Sequence, residues 1–330
     1  MVKHVTCIVV AIILSLLAQF PATAQDRTNP HRVGWISPES EEVVRRTNAT
    51  YGGNAVRRTF ADLGYREGKD FIIDPRYAAG RFERGPELAE ELLRAGAEVL
   101  VTGGYELSAA ALQVTQTVPV VGVGCGVEQL AQSLARPGGN FTGVSCQSLD
   151  LPAKHLQLLS EMMPSGRQIV ALVNPDSRSA TTVTEQLKEA AAQLNLVVPL
   201  IPVRKPDMVE TAIGEIARLG ALGAIVAPDA LFWAERETLV AAAKKHRIGI
   251  IASYREFTDL GGLASYGTNI RDLVRRAVLT VDKILKGARP ADLPMEQPTK
   301  FELVVNVRAA RELKLTIPQS ILLRADEVIE

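Results

Sequence analysis

The chain has 330 residues, enough for two domains of ordinary size. It is 47% hydrophobic but only 5% aromatic, so its cores must be mainly aliphatic. Lys plus Arg and Asp plus Glu balance at 37 each, which argues against a dedicated nucleic-acid binder.

Residues 1–24 read as a secretory signal. Lys3 and His4 make a short basic start. "VTCIVVAIILSLLA" is an apolar core too short to be a comfortable membrane span. "ATA" at Ala22–Ala24 fits the small-x-small cleavage pattern, which puts the expected mature start at Gln25. Cys7 stands at the start of the apolar core, far from the cleavage point, and cannot serve as a lipid-anchored cysteine there. The product expected is an exported soluble protein, which in a bacterium means the periplasm.

From residue 31 strand-like and helix-like segments alternate. "HRVGWIS" is the first strand, with a helix to follow within 41–62. "DFIIDPRYA", "AEVLVTGG", "VPVVGVG" and "NFTGVSC" are further strands. Between them lie helical patterns in "RGPELAEELLRAG", "ELSAAALQVTQ" and "VEQLAQSLA". Short aliphatic runs separated by amphipathic helices predict a parallel sheet covered on both faces.

The pattern then restarts. "DLPAKHLQLLSEMMP" is a helix, "QIVALVN" a strand, and Val183, Leu187, Ala190 and Leu194 recur at the helical period. "LVVPLIPV", "GAIVAPD" and "IGIIASY" are strands, with helices in "PDMVETAIGEIARLG" and "WAERETLVAAAKKH". "GLASYG" closes the array. The fold expected is α/β, with two doubly wound parallel-sheet lobes of about five strands each.

In open parallel sheets ligands sit beyond the carboxyl ends of the strands, where the next helix presents its N–H groups. The candidate exits are "SPES", "TGGYELS" and "GCGVEQ" in the first array, and "NPDSRSAT", "PDALFW" and "SYREF" in the second. They supply the candidate ligand-binding residues Ser37, Glu39, Gly103, Gly104, Tyr105, Cys125, Gly126, Asn174, Ser177, Asp229, Phe232 and Tyr254. A ligand carboxylate is expected at Ser37 and the N–H groups near Gly103 and Gly104. Tyr105, Phe232, Tyr254 and Tyr266 offer aromatic walls, and Asp229 or Glu39 a partner for an ammonium, if the ligand carries one.

Catalytic signatures are missing. "VTGGYELS" lacks the third glycine and the acid of a dinucleotide site, and "RPGGN" lacks a phosphate-binding lysine. "GVSCQS" is not a nucleophile elbow, and neither His155 nor His246 stands at a strand exit where a hydrolase needs its base. His4, His31, His155 and His246 are too scattered to ligate a metal. No cofactor, metal site or nucleic-acid partner is expected. Cys125 and Cys146 follow neighbouring strands and form either a disulfide or two free thiols.

The mature chain resembles a known family. "RVGWIS", "ARPGGNFTGVS", "ALVNPDS", "YREFTDLGGLASYGTN", "ILKGARPADLPMEQPTKFELVVN" and "IPQSILLRADEVIE" are similar as a set to the ABC transporter substrate-binding proteins often called TrpX-like. The resemblance implies a type I periplasmic binding protein fold with two lobes joined by three hinge crossings. Lobe 1 would hold 25–147 plus 268–295, and lobe 2 148–267 plus 296–330. The crossings would lie near Ser145–Ser148, Tyr266–Asn269 and Pro294–Pro298, with Gly267 supplying the backbone freedom for closure and Asn269 capping the next helix. The function implied is delivery of a small polar solute, as a monomer, to a permease and ATPase encoded elsewhere. A periplasmic sensor for a membrane receptor and a periplasmic enzyme are the alternatives. Two loops depart from the family pattern: "CGVEQ" replaces an Asp-Pro pair after the fourth strand, and "SPESEE" after the first is unusually acidic.

Overall fold

The structure, a computed structural model, describes residues 29–47, 54–146, 151–164, 166, 168–298 and 300–330. The candidate signal segment, and positions 147 and 148 of the first expected crossing, lie outside the described residues. The first sheet contains β1 (His31–Ser37), β2 (Phe71–Tyr77), β3 (Val99–Gly103), β4 (Val120–Gly124) and β5 (Phe141–Ser145), in the order β2-β1-β3-β4-β5. All its pairings are parallel.

The second sheet contains β6 (Ile169–Val173), β7 (Leu200–Pro202), β8 (Gly223–Val226), β9 (Gly249–Ala252), β10 (Ala264–Gly267), β11 (Glu302–Asn306) and β12 (Glu327–Ile329). Their order is β12-β11-β10-β9-β8-β6-β7, parallel except at β10/β11. This sheet has seven strands rather than the five expected, because the chain returns to it late with β11 and β12. Strands β3, β4, β5, β6, β8 and β9 are buried along their whole length, which is why they read as aliphatic runs without alternation.

The order reverses between β1 and β3 in one sheet and between β6 and β8 in the other. Adjacent helices leave these strands to opposite faces there, so each reversal opens a crevice at the carboxyl ends.

The chain passes between the sheets more than once. After β5 the helix Leu151–Met162 packs on β8, β9 and β10. After β10 the chain goes back, and the helix Ile270–Leu285 packs on β3, β4 and β5. Its buried residues Ile270, Leu273, Val274, Ala277, Val278 and Val281 form one stripe at helical spacing. Asn269 Oδ1 accepts from the Arg271 N–H at 3.0 Å and caps this helix as expected. The chain then lines the edge of β5, with Ser145 N–H donating to the Glu296 carbonyl at 2.9 Å, before entering β11.

Three local expectations need correction. The helix expected in "VEQLAQSLA" is only a single turn, Val127–Leu130. Beyond it Gln132 N–H bonds the Pro137 carbonyl, and the Leu134 carbonyl accepts from Met295, so pairing outside the segment replaces helical bonds. The helix expected in "WAERETLVAAAKKH" is two, Ala230–Ala234 and Arg236–Lys245. Gly267 is outside the left-handed region; a Cβ there would overlap the Ser253 carbonyl, so close backbone approach, not φ, requires glycine. Among the described residues no helix is long and apolar enough to cross a membrane.

Candidate functional site

The exits of β1, β3 and β4 face those of β6, β8 and β9. Between them Pro38, Gly103, Gly104 and Cys125 of one sheet, with Asp229, Ala230, Trp233 and Tyr254 of the other, line a narrow cleft. A second part of the cleft, which shares Cys125, Asp229 and Ala230 with the first, is bordered by Tyr105, Glu106, Gly126, Gln129, Ser177, Arg178 and Ser179.

At the β1 exit Ser37 Oγ donates to Glu39 Oε2 at 3.3 Å and accepts from the Glu39 N–H at 3.2 Å. Both residues are fully buried. Glu39 Oε1 lies 2.6 Å from Arg236 Nη2 of the opposite sheet's helix Arg236–Lys245. Arg236 also donates to the Trp233 carbonyl at 2.7 Å, and its guanidinium stands 4.3 Å from the Trp233 ring centroid. Burial pushes the Glu39 carboxyl up, and Arg236, Ser37 and Trp233 pull it back. Glu39 is thus tied into an ion pair with Arg236, and Ser37 is hydrogen-bonded to Glu39.

The β3 exit is a tight turn into the helix Tyr105–Val114. Ser108 Oγ donates to the Gly104 carbonyl at 2.6 Å and lies 2.7 Å from Thr102 Oγ1. Gly104 has φ +85°, and a Cβ there would stand 3.1 Å from Ala230 Cβ of the other sheet. Only glycine satisfies both the turn and the close approach of the two lobes. The Gly104 N–H donates to the Val123 carbonyl at 2.8 Å, so it is not available to an anion. Glu106 occupies the first turn, and its carboxyl accepts from its own N–H. An incoming carboxylate expected here meets this carboxylate instead.

At the β4 exit Cys125 forms a disulfide with Cys146, with Cα atoms 4.9 Å apart. Cys125 also faces the cleft: the Tyr254 hydroxyl of the opposite lobe donates to its Sγ at 3.0 Å. Tyr254 in turn stands edge-on to Trp233, ring centroids 5.1 Å apart.

On the far wall Asp229 caps the helix Ala230–Ala234, accepting from the Leu231 N–H at 2.8 Å. Asn174 Nδ2 donates to its two carboxylate oxygens at 3.3 and 3.4 Å. Burial raises the Asp229 carboxyl, while Leu231, Ser177 and Asn174 lower it. Glu106 across the cleft is pushed up to about 7, first by burial and then by the Asp229 charge. Arg178 borders the same space and lies 5.8 Å from the Tyr105 ring centroid.

The structure thus brings Gly103, Gly104, Tyr105, Cys125, Gly126, Ser177, Asp229 and Tyr254 together around the cleft, with Asn174 behind Asp229. Phe232 is 1% exposed and packs in the core; its neighbour Trp233 forms the wall expected of it. Tyr266 borders neither space: its ring tilts against Phe301 at 5.9 Å and its carbonyl lies 2.7 Å from His155 Nε2. Glu106, Gln129, Arg178, Trp233 and Arg236 were not expected here. Glu106, Gln129, Arg178 and Trp233 stand in the quoted exits "TGGYELS", "GCGVEQ", "NPDSRSAT" and "PDALFW", so the exit rule carried a signal for all but Arg236. Among the described residues no group of His, Cys, Asp and Glu gathers to hold a metal ion.

A family model described as ABC transporter substrate binding protein matches residues 47–329. The chain belongs to that family. That family is one of substrate-binding proteins rather than of enzymes, and a ligand-binding role follows. An ABC domain from Streptococcus pneumonia, solved in complex with L-Trp, is 23% identical with a TM-score of 0.79 over 91% of this chain and 100% of its own. A conserved domain protein from Vibrio cholerae is 24% identical with a TM-score of 0.78 over the same shares, 91% and 100%. A periplasmic binding protein/LacI transcriptional regulator from Alkaliphilus metalliredigens, complexed with D-xylulofuranose, is 14% identical with a TM-score of 0.56, over 82% of this chain and 96% of its own. The fold is that of the type I periplasmic binding proteins. No curated protein matches the chain in sequence.

Proposed function

We propose that this family member is a periplasmic solute-binding protein. It delivers a small polar ligand, an amino acid or an aromatic or other carboxylic acid, to an ABC permease and ATPase encoded elsewhere. Lobe 1 (25–147 plus 268–295) and lobe 2 (148–267 plus 296–330) close on the ligand as one monomer. The observation that carries this reading is a cleft walled from both sheets at their order reversals. Such a site completes its contacts only when shut, so a ligand favours the closed state by the energy of those contacts. The signal-like start supports a periplasmic location. The L-Trp bound by the Streptococcus pneumonia protein supports an amino acid among the candidate ligands.

A thermal-shift screen of purified protein against small acids and amino acids tests the reading, with native mass spectrometry to weigh any solute that co-purifies. A ligand of the closed form raises the unfolding free energy by roughly 2.7 kcal/mol at a hundredfold excess over Kd. A protein that co-purifies with nothing and is stabilised by nothing in such a screen contradicts the proposal.

A further inference from the structure

We propose that the Cys125–Cys146 disulfide is a redox switch on lobe closure: a dithiol reductant attacks it at Cys125 when the cleft is open, and its reduction in turn favours the open protein. This rests on lobe closure in the reading above and adds a control that works without solute.

The two sulfurs stand in different surroundings. Cys146 is 0% exposed and follows β5. Cys125 is half-buried, lines both parts of the cleft, and has the Tyr254 hydroxyl of the opposite lobe 3.0 Å from its Sγ. Solvent therefore reaches the bond at Cys125, from the cleft, and there the opposite lobe covers it. Tyr254 is itself buried and stands edge-on to Trp233. Trp233 lies against Arg236, which pairs with Glu39. One run of contacts thus leads from the sulfur into the opposite lobe and back to the first.

The loop that carries Cys125 has room to relax once released. Gly124 and Gly126 flank it at φ 120° and 79°, and the Val127–Leu130 helix beyond is a single turn. Two hydrogen bonds also tie this loop to the β5 exit: the Cys146 N–H donates to the Gly124 carbonyl at 3.3 Å, and Ser145 Oγ to Glu128 Oε2 at 2.7 Å. They hold its base, whereas the disulfide fixes the sulfur that meets Tyr254.

The chemistry is two thiol–disulfide exchanges. A thiolate of the dithiol attacks Cys125 Sγ, the bond to Cys146 breaks, and Cys146 leaves as a thiolate that takes up a proton. The second thiolate of the dithiol then displaces Cys125 from the mixed disulfide, and Cys125 takes up a proton in turn. Two electrons have passed to the protein, and the dithiol is left as its own disulfide. Access to the attacked sulfur governs the rate of the first exchange, and closure sets that access. The coupling runs both ways: what favours the closed lobes slows reduction, and breaking the bond withdraws a fixed Cys125 from the closed state.

The test uses the full mature protein with no solute added, so its failure is separate from a failure to find a ligand. Dithiothreitol releases the thiols, which are alkylated at intervals and counted by intact mass. Tyr254→Ala, which uncovers Cys125, is expected to release them several-fold faster than wild type. Tyr254→Phe, which removes only the hydroxyl, is expected to fall between, and keeps the comparison should the alanine variant fold poorly. Glutathione in place of dithiothreitol is expected to leave its adduct on Cys125, located by peptide mass. Small-angle scattering is expected to give the reduced, folded protein a larger radius of gyration than the oxidised one, restored on reoxidation. Equal release rates in wild type and both variants, an adduct on Cys146, superimposable scattering of the two redox forms, or unfolding on reduction would each overturn the switch. The bond would then be a structural staple, and the solute-binding reading would stand.

Discussion

Glu39 and Arg236 form a buried ion pair across the cleft, Oε1 to Nη2 at 2.6 Å, with the two residues 0% and 3% exposed. One comes from the β1 exit and the other from the opposite lobe's helix Arg236–Lys245. The pair can exist only while these lobe faces are in contact. It therefore biases the protein toward closure, at the cost of desolvating two charges. Removing one partner leaves the other buried and uncompensated, so Arg236→Ala is expected to cost roughly 3 to 5 kcal/mol. A double replacement by apolar residues of similar volume should recover most of that loss. Denaturant unfolding of the two variants checks this; equal stabilities would contradict it.

His155 sets an acid limit on stability. It is fully buried in the helix Leu151–Met162, its Nε2 donates to the Tyr266 carbonyl at 2.7 Å, and its Nδ1 has no partner among the described residues. Burial lowers its pKa from 6.5 to about 4. The fold accepts only the neutral ring, so this contribution is complete above pH 6.5 and is lost as pH falls through about 4. The amount is on the order of 3 kcal/mol. His155→Gln is expected to flatten the stability profile over that window, measured by denaturant titration at several pH values.

Glu106 acts with the opposite sign. Its carboxyl rises from 4.5 to about 7, so the fold keeps the full contribution below pH 4.5 and loses it as pH rises through about 7. Glu256, also raised to about 7 by burial, adds to the same trend. Glu106→Gln should remove part of the decline, which thermal melts across that range check.

The Cys125–Cys146 disulfide ties a cleft-lining loop to the residue that follows β5. Closing a loop with a sequence separation of 21 stabilises by roughly 3 kcal/mol in the chain-entropy account. Mild reduction is expected to lower Tm and to loosen the Tyr254 contact with Cys125. Two free thiols at these positions in non-reduced protein would contradict the pairing.

Gly267→Ala is expected to strain the β9/β10 junction even though its φ suits any residue, because the added methyl meets the Ser253 carbonyl. Stability should fall while the cleft lining is unchanged. An unaltered melting curve would show that the junction yields without cost.

Much of the architecture was legible because buried parallel strands declare themselves as aliphatic runs. "EVLVTGG" and "QIVALVN" gave β3 and β6 within about two residues of their ends. The exit rule found Gly104, Cys125 and Asp229 for the same reason: topology fixes which end of a strand meets ligand. Side-chain commitments were not legible. Nothing local to "SPES" says that Glu39 is claimed by an arginine 197 positions later, or that Phe232 turns inward while Trp233 turns to the cleft. Pairings of that kind depend on how two lobes meet, which no short window of sequence encodes. The failed helix at "VEQLAQSLA" is the same lesson at backbone level, since Leu134 bonds to Met295 from a distant segment.

The central claim is that ligand closes two lobes on a shared cleft. Small-angle scattering, with protein freed of bound solute and then saturated with the tightest ligand from the thermal-shift screen, tests it most directly. The account predicts a smaller radius of gyration with ligand than without, because the contacts of Gly104 with Ala230 and Glu39 with Arg236 form only when the lobes meet. Scattering curves that superimpose, with binding verified on the same samples, would contradict it and leave a rigid pocket in its place.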